Sequence, residues 1–356
     1  MWWYDGSSAL NDLWEWDQTT DTWAQKANMP AARFSHSGFV ISGKAYVGIG
    51  EMDASGGQYN DWWEYDPSAN TWIQKTNFLA GYRGYTEYFS IGSKGYICAG
   101  IQYSPVTYQN DLWEYDATAN GWTQKSNFPG SVRGEAVSFV SNGIAYFGMG
   151  KLGSSSFNDI WKWDPIANTW TQVTTFPGNA RIDASTFVLC GEAYFVTGWL
   201  ASQSGTTKEV WKYSPPANTW LQLPNFPGNG SLDQAYFSIG TKGYVATGYD
   251  YSNPPSQELW EYAANCSEGG VNELSEQLIP VTIYPNPFIN ETTVSIGGND
   301  FKEYQFTIYD VNGQVLKSLP IKCSSKLAKE SLSPGIYFYS LTREGKRYNS
   351  GEFIIQ

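Results

Sequence analysis

Apolar and polar residues alternate in short runs along most of the chain, a two-residue period that predicts β-strands rather than helices. In the stretch 34–76 the period marks four strands, near 34–42, 44–50, 61–66 and 71–76. The first two are joined by a tight Ser42-Gly43 turn. The last two are joined by Asp66-Pro67-Ser68-Ala69-Asn70, where Pro sets φ and Asn tolerates a left-handed conformer.

The pattern repeats. Asn11-Asp12-Leu13-Trp14-Glu15-Trp16-Asp17 returns at 60–66, 110–116 and 158–164, with weaker copies around Trp211 and Trp260. Tryptophans at 14, 63, 113, 161, 211 and 260 are spaced 49, 50, 48, 50 and 49 apart. Five copies run on through a polar turn into a second tryptophan: Trp23, Trp72, Trp122, Trp170 and Trp220. A four-stranded unit of this size cannot bury both faces alone, so the copies must stack radially.

A glycine-ended strand, a Tyr-Asp strand and Asn-x-Trp in this order resemble the kelch repeat over residues 1–263. The resemblance implies a β-propeller. It departs from the family where paired glycines end the second strand, which here read Gly-x-Gly or a single Gly. Six third strands predict six blades. The first copy supplies only its last two strands, and the last copy stops after strands at 232–239, 243–248 and 257–262. An N-terminally incomplete ring is therefore expected, with the first strands and a signal peptide lying upstream of Met1. Thirteen of the 17 tryptophans occupy repeat positions and are expected between blades, leaving Trp2, Trp3, Trp62 and Trp199 outside the pattern.

Beyond Cys266 the period is lost, and 266–279 reads as a polar linker. Alternating strands then resume around Tyr284-Pro285-Asn286-Pro287-Phe288, the turn-forming Asp310-Val311-Asn312-Gly313, Pro334-Gly335-Ile336-Tyr337 and a terminal Phe353-Ile354-Ile355. These features predict a small Ig-like β-sandwich over 280–356. The motifs, in this order at the C-terminus, resemble the type A sorting domain of Bacteroidetes exported proteins. That resemblance implies the type IX secretion machinery as a partner, and a secreted or outer-membrane surface-attached protein.

Charge and composition narrow the partners. Residues 1–265 carry a net −10, 266–279 carry −3 and 280–356 carry +1, for the total of −12. An acidic main domain repels phosphate backbones, which argues against nucleic acid. No run approaches the 18 apolar residues of a spanning helix. The four cysteines show no metal-ligand spacing, and Cys98 reads as a small buried hydrophobe. His36 is the only histidine, which excludes a galactose-oxidase-type copper site; no cofactor is expected.

The strand order puts the long connections 51–59, 101–109, 151–157, 199–207 and 249–256 on one face, where binding residues tend to gather. At the head of each first strand arginine recurs as Arg33, Arg83, Arg133 and Arg181, with Ser231 in the last copy. Two residues on stand Ser35, Tyr85, Glu135, Asp183 and Asp233. These positions are expected to ring a central mouth, with Tyr103, Tyr108, Trp199 and Tyr249 beside them. In kelch adaptors of the ubiquitin ligase system the corresponding arginines capture acidic peptides. The alternative is that each arginine pairs with an acid or with backbone in the scaffold. The site residues read best as part of a glycan- or protein-binding module; a sialic-acid mutarotase-like enzyme using Arg with Glu135 or Asp183, and a purely structural surface protein, are the alternatives.

Overall fold

The computed structural model describes residues 9–52, 57–200, 205–250, 256–264, 281–296, 303–310, 314–329, 332–343 and 346–356. Trp2, Trp3, Cys266, the linker 266–279 and Gly313 lie outside the described residues, as do the tips of three long connections. Every regular element among the described residues is a β-strand. The chain divides into two compact units, Met1–Ala264 and Asn265–Gln356.

In the first unit the repeats become separate antiparallel meanders. The second repeat runs Ser37–Ile41, Lys44–Gly48, Trp62–Asp66 and Thr71–Lys75, hydrogen-bonded in that order. Three more sheets follow with the same order. The first repeat contributes Leu13–Asp17 and Thr22–Lys26, and the sixth contributes Ala235–Ile239, Lys242–Ala246 and Leu259–Ala263. First strands of consecutive repeats touch one another from the second repeat to the sixth, so they converge on a common axis.

The Asn-x-Trp signature has a direct physical role. Asn70 sits left-handed at φ 53° in the turn, and its Oδ1 accepts from Ala27 N at 2.8 Å. Trp72 Nε1 donates to Ala27 O, also at 2.8 Å. One residue of the preceding repeat thus has both backbone groups satisfied by the next repeat. Asn120 and Trp122 treat Thr76 in the same way, and Asn168 and Trp170 treat Ser126.

Aromatic rings fill the space between repeats. A second-strand tyrosine meets a third-strand ring of the following repeat: Tyr46 with Tyr115 at 5.5 Å, Tyr96 with Trp163 at 5.1 Å and Tyr194 with Tyr262 at 5.0 Å. The same contact joins the sixth repeat to the first, where Tyr244 lies 5.1 Å from Trp16.

Two tryptophan expectations are corrected. Trp62 is fully buried against Phe39, Tyr115 and Trp122. It takes the apolar face of its strand, where the other copies carry Leu, Ile or Val. Trp14 and Trp23, at repeat positions, are instead about half exposed. Cys98 is buried and free, whereas Cys190 is disulfide-bonded, a pairing its spacing did not announce.

The second unit is a sandwich of a three-stranded sheet (Val281–Tyr284, Glu291–Ile296, Ser324–Ala328) and a four-stranded sheet (Val315–Ile321, Tyr304–Tyr309, Gly335–Arg343, Lys346–Ile355). Val294 and Leu327 of the first meet Phe306, Ile308, Leu341 and Phe353 of the second in one core. The Pro-Asn-Pro-Phe segment clamps the last strand. Asn286 Oδ1 accepts from Ile354 N at 2.8 Å, Phe288 N donates to Ile354 O at 3.1 Å, and Gln356 N donates to Phe288 O at 2.8 Å. Phe288 is buried beside Phe353, while Tyr284 is exposed. Asp310 Oδ1 accepts from Gln314 N at 2.8 Å across its turn, and the Tyr337 hydroxyl donates to Ser333 O.

Candidate functional site

The recurring arginines do not ring the mouth. Arg33, Arg83, Arg133 and Arg181 are 0–3% exposed and lie inside their own repeats. Arg33 Nη1 and Nη2 hold the two carboxylate oxygens of Asp61 at 2.6 and 2.8 Å, and Nη1 also donates to Ile49 O at 3.0 Å. Arg83 repeats this with Asp111 and Ala99 O, and Arg133 with Asp159 and Met149 O. Arg181 pairs with Glu209 and Thr197 O. The guanidinium of Arg133 also stacks on Phe128 at 4.7 Å and Phe157 at 4.1 Å.

The second strand shows why each cradle exists. Ile49, Ala99, Met149, Thr197 and Thr247 all have φ between 49° and 63°. Each is followed by glycine, and in the first four the carbonyl accepts from the arginine of the same repeat. The acid of the following Asn-Asp pair, or Glu209, closes the cradle and accepts from the next tryptophan as well, as in Trp113 Nε1 to Asp111 Oδ2 at 2.7 Å. Planar bidentate pairing of this kind is what arginine does best. With no guanidinium facing outward, Arg133 or Arg181 is not positioned to pair with Glu135 or Asp183 over a sugar carboxylate.

The residues two places further on do come together. Ser35, Tyr85, Glu135, Asp183 and Asp233 each have φ of 50–53°, a conformation costly for residues other than glycine. A belt of backbone hydrogen bonds holds them in place. Tyr85 N donates to Ser35 O, Glu135 N to Tyr85 O and Asp183 N to Glu135 O, at 3.2–3.3 Å. Bridges from the preceding residue to the long connection, such as Gly84 to Ile101 and Ile182 to Trp199, fix each head from its other side.

The result is a carboxylate cluster around the axis. Burial raises the Asp183 carboxyl well above its ordinary range, and the charges of Asp233 and Glu135 add to this. Glu51, buried, is pushed up to about 7, first by loss of water and then by Glu135 and Asp233 against a hydrogen bond from Ser35. One of its carboxylate oxygens has no hydrogen-bond partner. Asp233 reaches solvent at the rim, yet the protein around it and the Glu135 charge hold its carboxyl at about 6, against the pull of Lys151. Lys151 pairs with Glu135 at 2.6 Å.

Two tyrosines complete this surface. Tyr85 and Tyr103 meet edge-on at 6.3 Å, and burial raises both hydroxyls. Gln58 fixes Tyr103 by accepting from its backbone N–H at 3.1 Å. Trp199 is half-buried one bridge away from Asp183, and Tyr249 is bridged to Leu232 beside Asp233. Protonated or shared carboxyls next to aromatic rings can donate and accept hydrogen bonds with hydroxyl-rich ligands and attract cations. No group of acidic, histidine or cysteine side chains among the described residues is arranged to hold a metal ion.

Sequence reasoning missed Glu51 and Lys151. Both open the long connections opposite Phe34 and Gly134, and the bridge pairing that places them beside the axis has no signature in composition.

Comparison with known proteins supports two statements. A solved structure titled "Structure of YjhT" has a TM-score of 0.57 and 16% identity to this chain, covering 85% of it and 99% of that chain, a likeness in fold alone that fits a propeller-like all-β architecture. No curated protein matches the chain. No helix among the described residues is long and apolar enough to cross a membrane. Residues 282–356 match the secretion system C-terminal sorting domain. This chain therefore carries the sorting tail of a protein exported by the type IX system to the cell surface or beyond.

Proposed function

We propose that residues 1–265 form a six-bladed kelch-type propeller that binds a glycan or protein ligand on its long-connection face. Residues 266–279 link it to the sorting domain over 280–356, and the protein acts at the surface of a Bacteroidetes-type cell or outside it. The Tyr244–Trp16 contact supports the ring, since it repeats between the last and first copies what joins the others in sequence.

The observation that carries the binding reading is the convergence of Tyr85, Glu135, Asp183 and Asp233, each in a strained backbone conformation. Strain of this kind persists where surrounding structure enforces it, and such positions cluster at functional sites. The local excess of carboxylates and the net −10 of this region favour neutral or cationic ligands over acidic ones. Hydroxyl-rich or amino sugars fit best. The mutarotase reading loses support because it needs a guanidinium facing the sugar carboxylate.

A glycan array with neutral, amino and sialylated sugars tests this directly. Neutral or amino sugars should bind, and Asp183→Asn or Tyr103→Ala should weaken binding by about 1–3 kcal/mol. Retention of sialylated sugars alone, with sialic-acid anomer exchange above buffer, would move the protein to the enzyme class. Absence of binding to every sugar and to basic peptides would leave a structural surface protein.

A further inference from the structure

The arginine cradle filled in four repeats stands open in the sixth. Ser231 occupies the position of Arg33, Arg83, Arg133 and Arg181 at the head of the first strand. The rest of the receptor is retained. Glu258 takes the place of Asp61, Asp111, Asp159 and Glu209, and Trp260 Nε1 donates to its Oε2 at 2.9 Å, as Trp211 does to Glu209 at 3.1 Å. Phe226 lies 5.4 Å from Trp260, matching the 5.5 Å between Phe176 and Trp211. In the filled copies Phe78, Phe128 and Phe176 lie against the guanidinium at 4.7–5.1 Å.

Thr247 shares the left-handed conformation, at φ 63°, of the residues whose carbonyls receive the arginine elsewhere. Between these groups lies a cavity of about 310 Å3, lined by Phe226, Gly230, Ser231, Thr247, Glu258 and Trp260 among others. The short Ser231 side chain cannot span it, and Glu258 is exposed, its carboxylate accepting from Trp260 Nε1.

We propose that this cavity binds a guanidinium group supplied from outside the chain. The chemistry is that of its four occupied counterparts: a carboxylate for the planar fork, an aromatic ring beneath it and a backbone carbonyl at the edge. A lysine ammonium has the charge but not the fork, so it fits less well. The guanidinium can come from an arginine side chain of a protein or from a free arginine-like molecule. The cavity shares Tyr249 with the surface around the axis, but none of Glu135, Asp183 and Asp233 lines it, and the inference stands without the binding reading given for that cluster.

Calorimetric titration of the full chain with argininamide, an arginine-containing tripeptide and their lysine counterparts tests it. Saturable binding of an arginine compound is expected, at least ~tenfold tighter than its lysine counterpart. Glu258→Gln should raise Kd about tenfold or more, and Ser231→Arg should fill the slot and abolish binding. Asp183→Asn, at the axis, should leave the Glu258-dependent binding unchanged, which separates it from any cation binding at the carboxylate cluster. Binding of the peptide alone assigns a protein source, and equal binding of argininamide assigns a small molecule. If arginine and lysine compounds bind alike, if neither binds, or if binding survives Glu258→Gln, the proposal is overturned; the last variant changes an exposed side chain and does not depend on how well Ser231→Arg folds.

Discussion

Arg133 grips Asp159 through two hydrogen bonds, Nη1 to Oδ1 at 2.6 Å and Nη2 to Oδ2 at 3.1 Å, with the arginine side chain 1% exposed. The pair ties the head of a first strand to the start of the third strand in the same repeat. Removing the arginine strands a carboxylate that is only partly hydrated. Arg133→Ala should therefore destabilise the first unit by about 2–4 kcal/mol in denaturant unfolding. Arg133→Lys should recover less than half of that loss, because an ammonium cannot serve both oxygens and the Met149 carbonyl in one plane. Unchanged stability in Arg133→Ala would contradict a scaffold role.

Stability should fall as pH rises above neutrality. Glu87 is buried, accepts from Ser138 Oγ at 2.8 Å and has its carboxyl pushed up to about 8, chiefly by loss of water. Between its unfolded pKa and about 8 the folded state keeps a proton that the unfolded state releases, so unfolding becomes easier with increasing pH. Glu51 acts in the same direction up to about 7. His36 acts oppositely at low pH, since burial holds it neutral and well below its ordinary range. Comparison of pH 7 and pH 9 therefore leaves out His36, and the buried Cys98 thiol, also raised by burial, adds to the decline in wild type and variant alike. Glu87→Gln should flatten the decline and be the more stable protein at pH 9, by on the order of a few kcal/mol. An equal decline in both proteins would remove Glu87 as its cause.

Two tryptophans of the same repeat family should behave very differently. Trp62→Ala removes a fully buried ring packed on Phe39 and Trp122 and should cost about 3–5 kcal/mol. Trp14→Ala, at a site about half exposed, should cost less than about 1 kcal/mol. Trp62 Nε1 has no hydrogen-bond partner, so Trp62→Phe should be far milder than Trp62→Ala. Chemical denaturation midpoints of the three variants decide the matter.

In the C-terminal unit, Phe288→Ala empties a core position beside Phe353 and should destabilise that sandwich by about 3–5 kcal/mol. Asn286→Ala removes the acceptor for Ile354 N and should cost about 1 kcal/mol. Protease sensitivity of the tail should rise more in Phe288→Ala than in Asn286→Ala, and surface export should fall with it in cell fractionation. Deleting 280–356 should abolish export and leave the thermal transition of the first unit within a few degrees.

Strand positions, turns and the Asn-x-Trp signature were legible because they depend on local periodicity and on φ preferences that individual residues carry. The expected strands near 34–42, 44–50, 61–66 and 71–76 appear as Ser37–Ile41, Lys44–Gly48, Trp62–Asp66 and Thr71–Lys75. The tail motifs were legible as a resemblance to a known sorting domain, not from local periodicity, since Asn286 acts on a strand 68 residues further on. The side to which the arginines point was not. Arg133 and Glu135 are two residues apart and share one face of an ideal strand, which suggested that both look into the mouth. The left-handed conformer at Glu135 breaks that period, and the one at Met149 turns a carbonyl inward to receive Arg133. Both depend on partners about 16 to 50 residues away in sequence, since the belt from Tyr85 O and the cradle at Asp159 form only when strands and repeats are stacked. One side chain therefore goes into the scaffold and the other to the axis, because backbone groups brought together by the fold had to be hydrogen-bonded there.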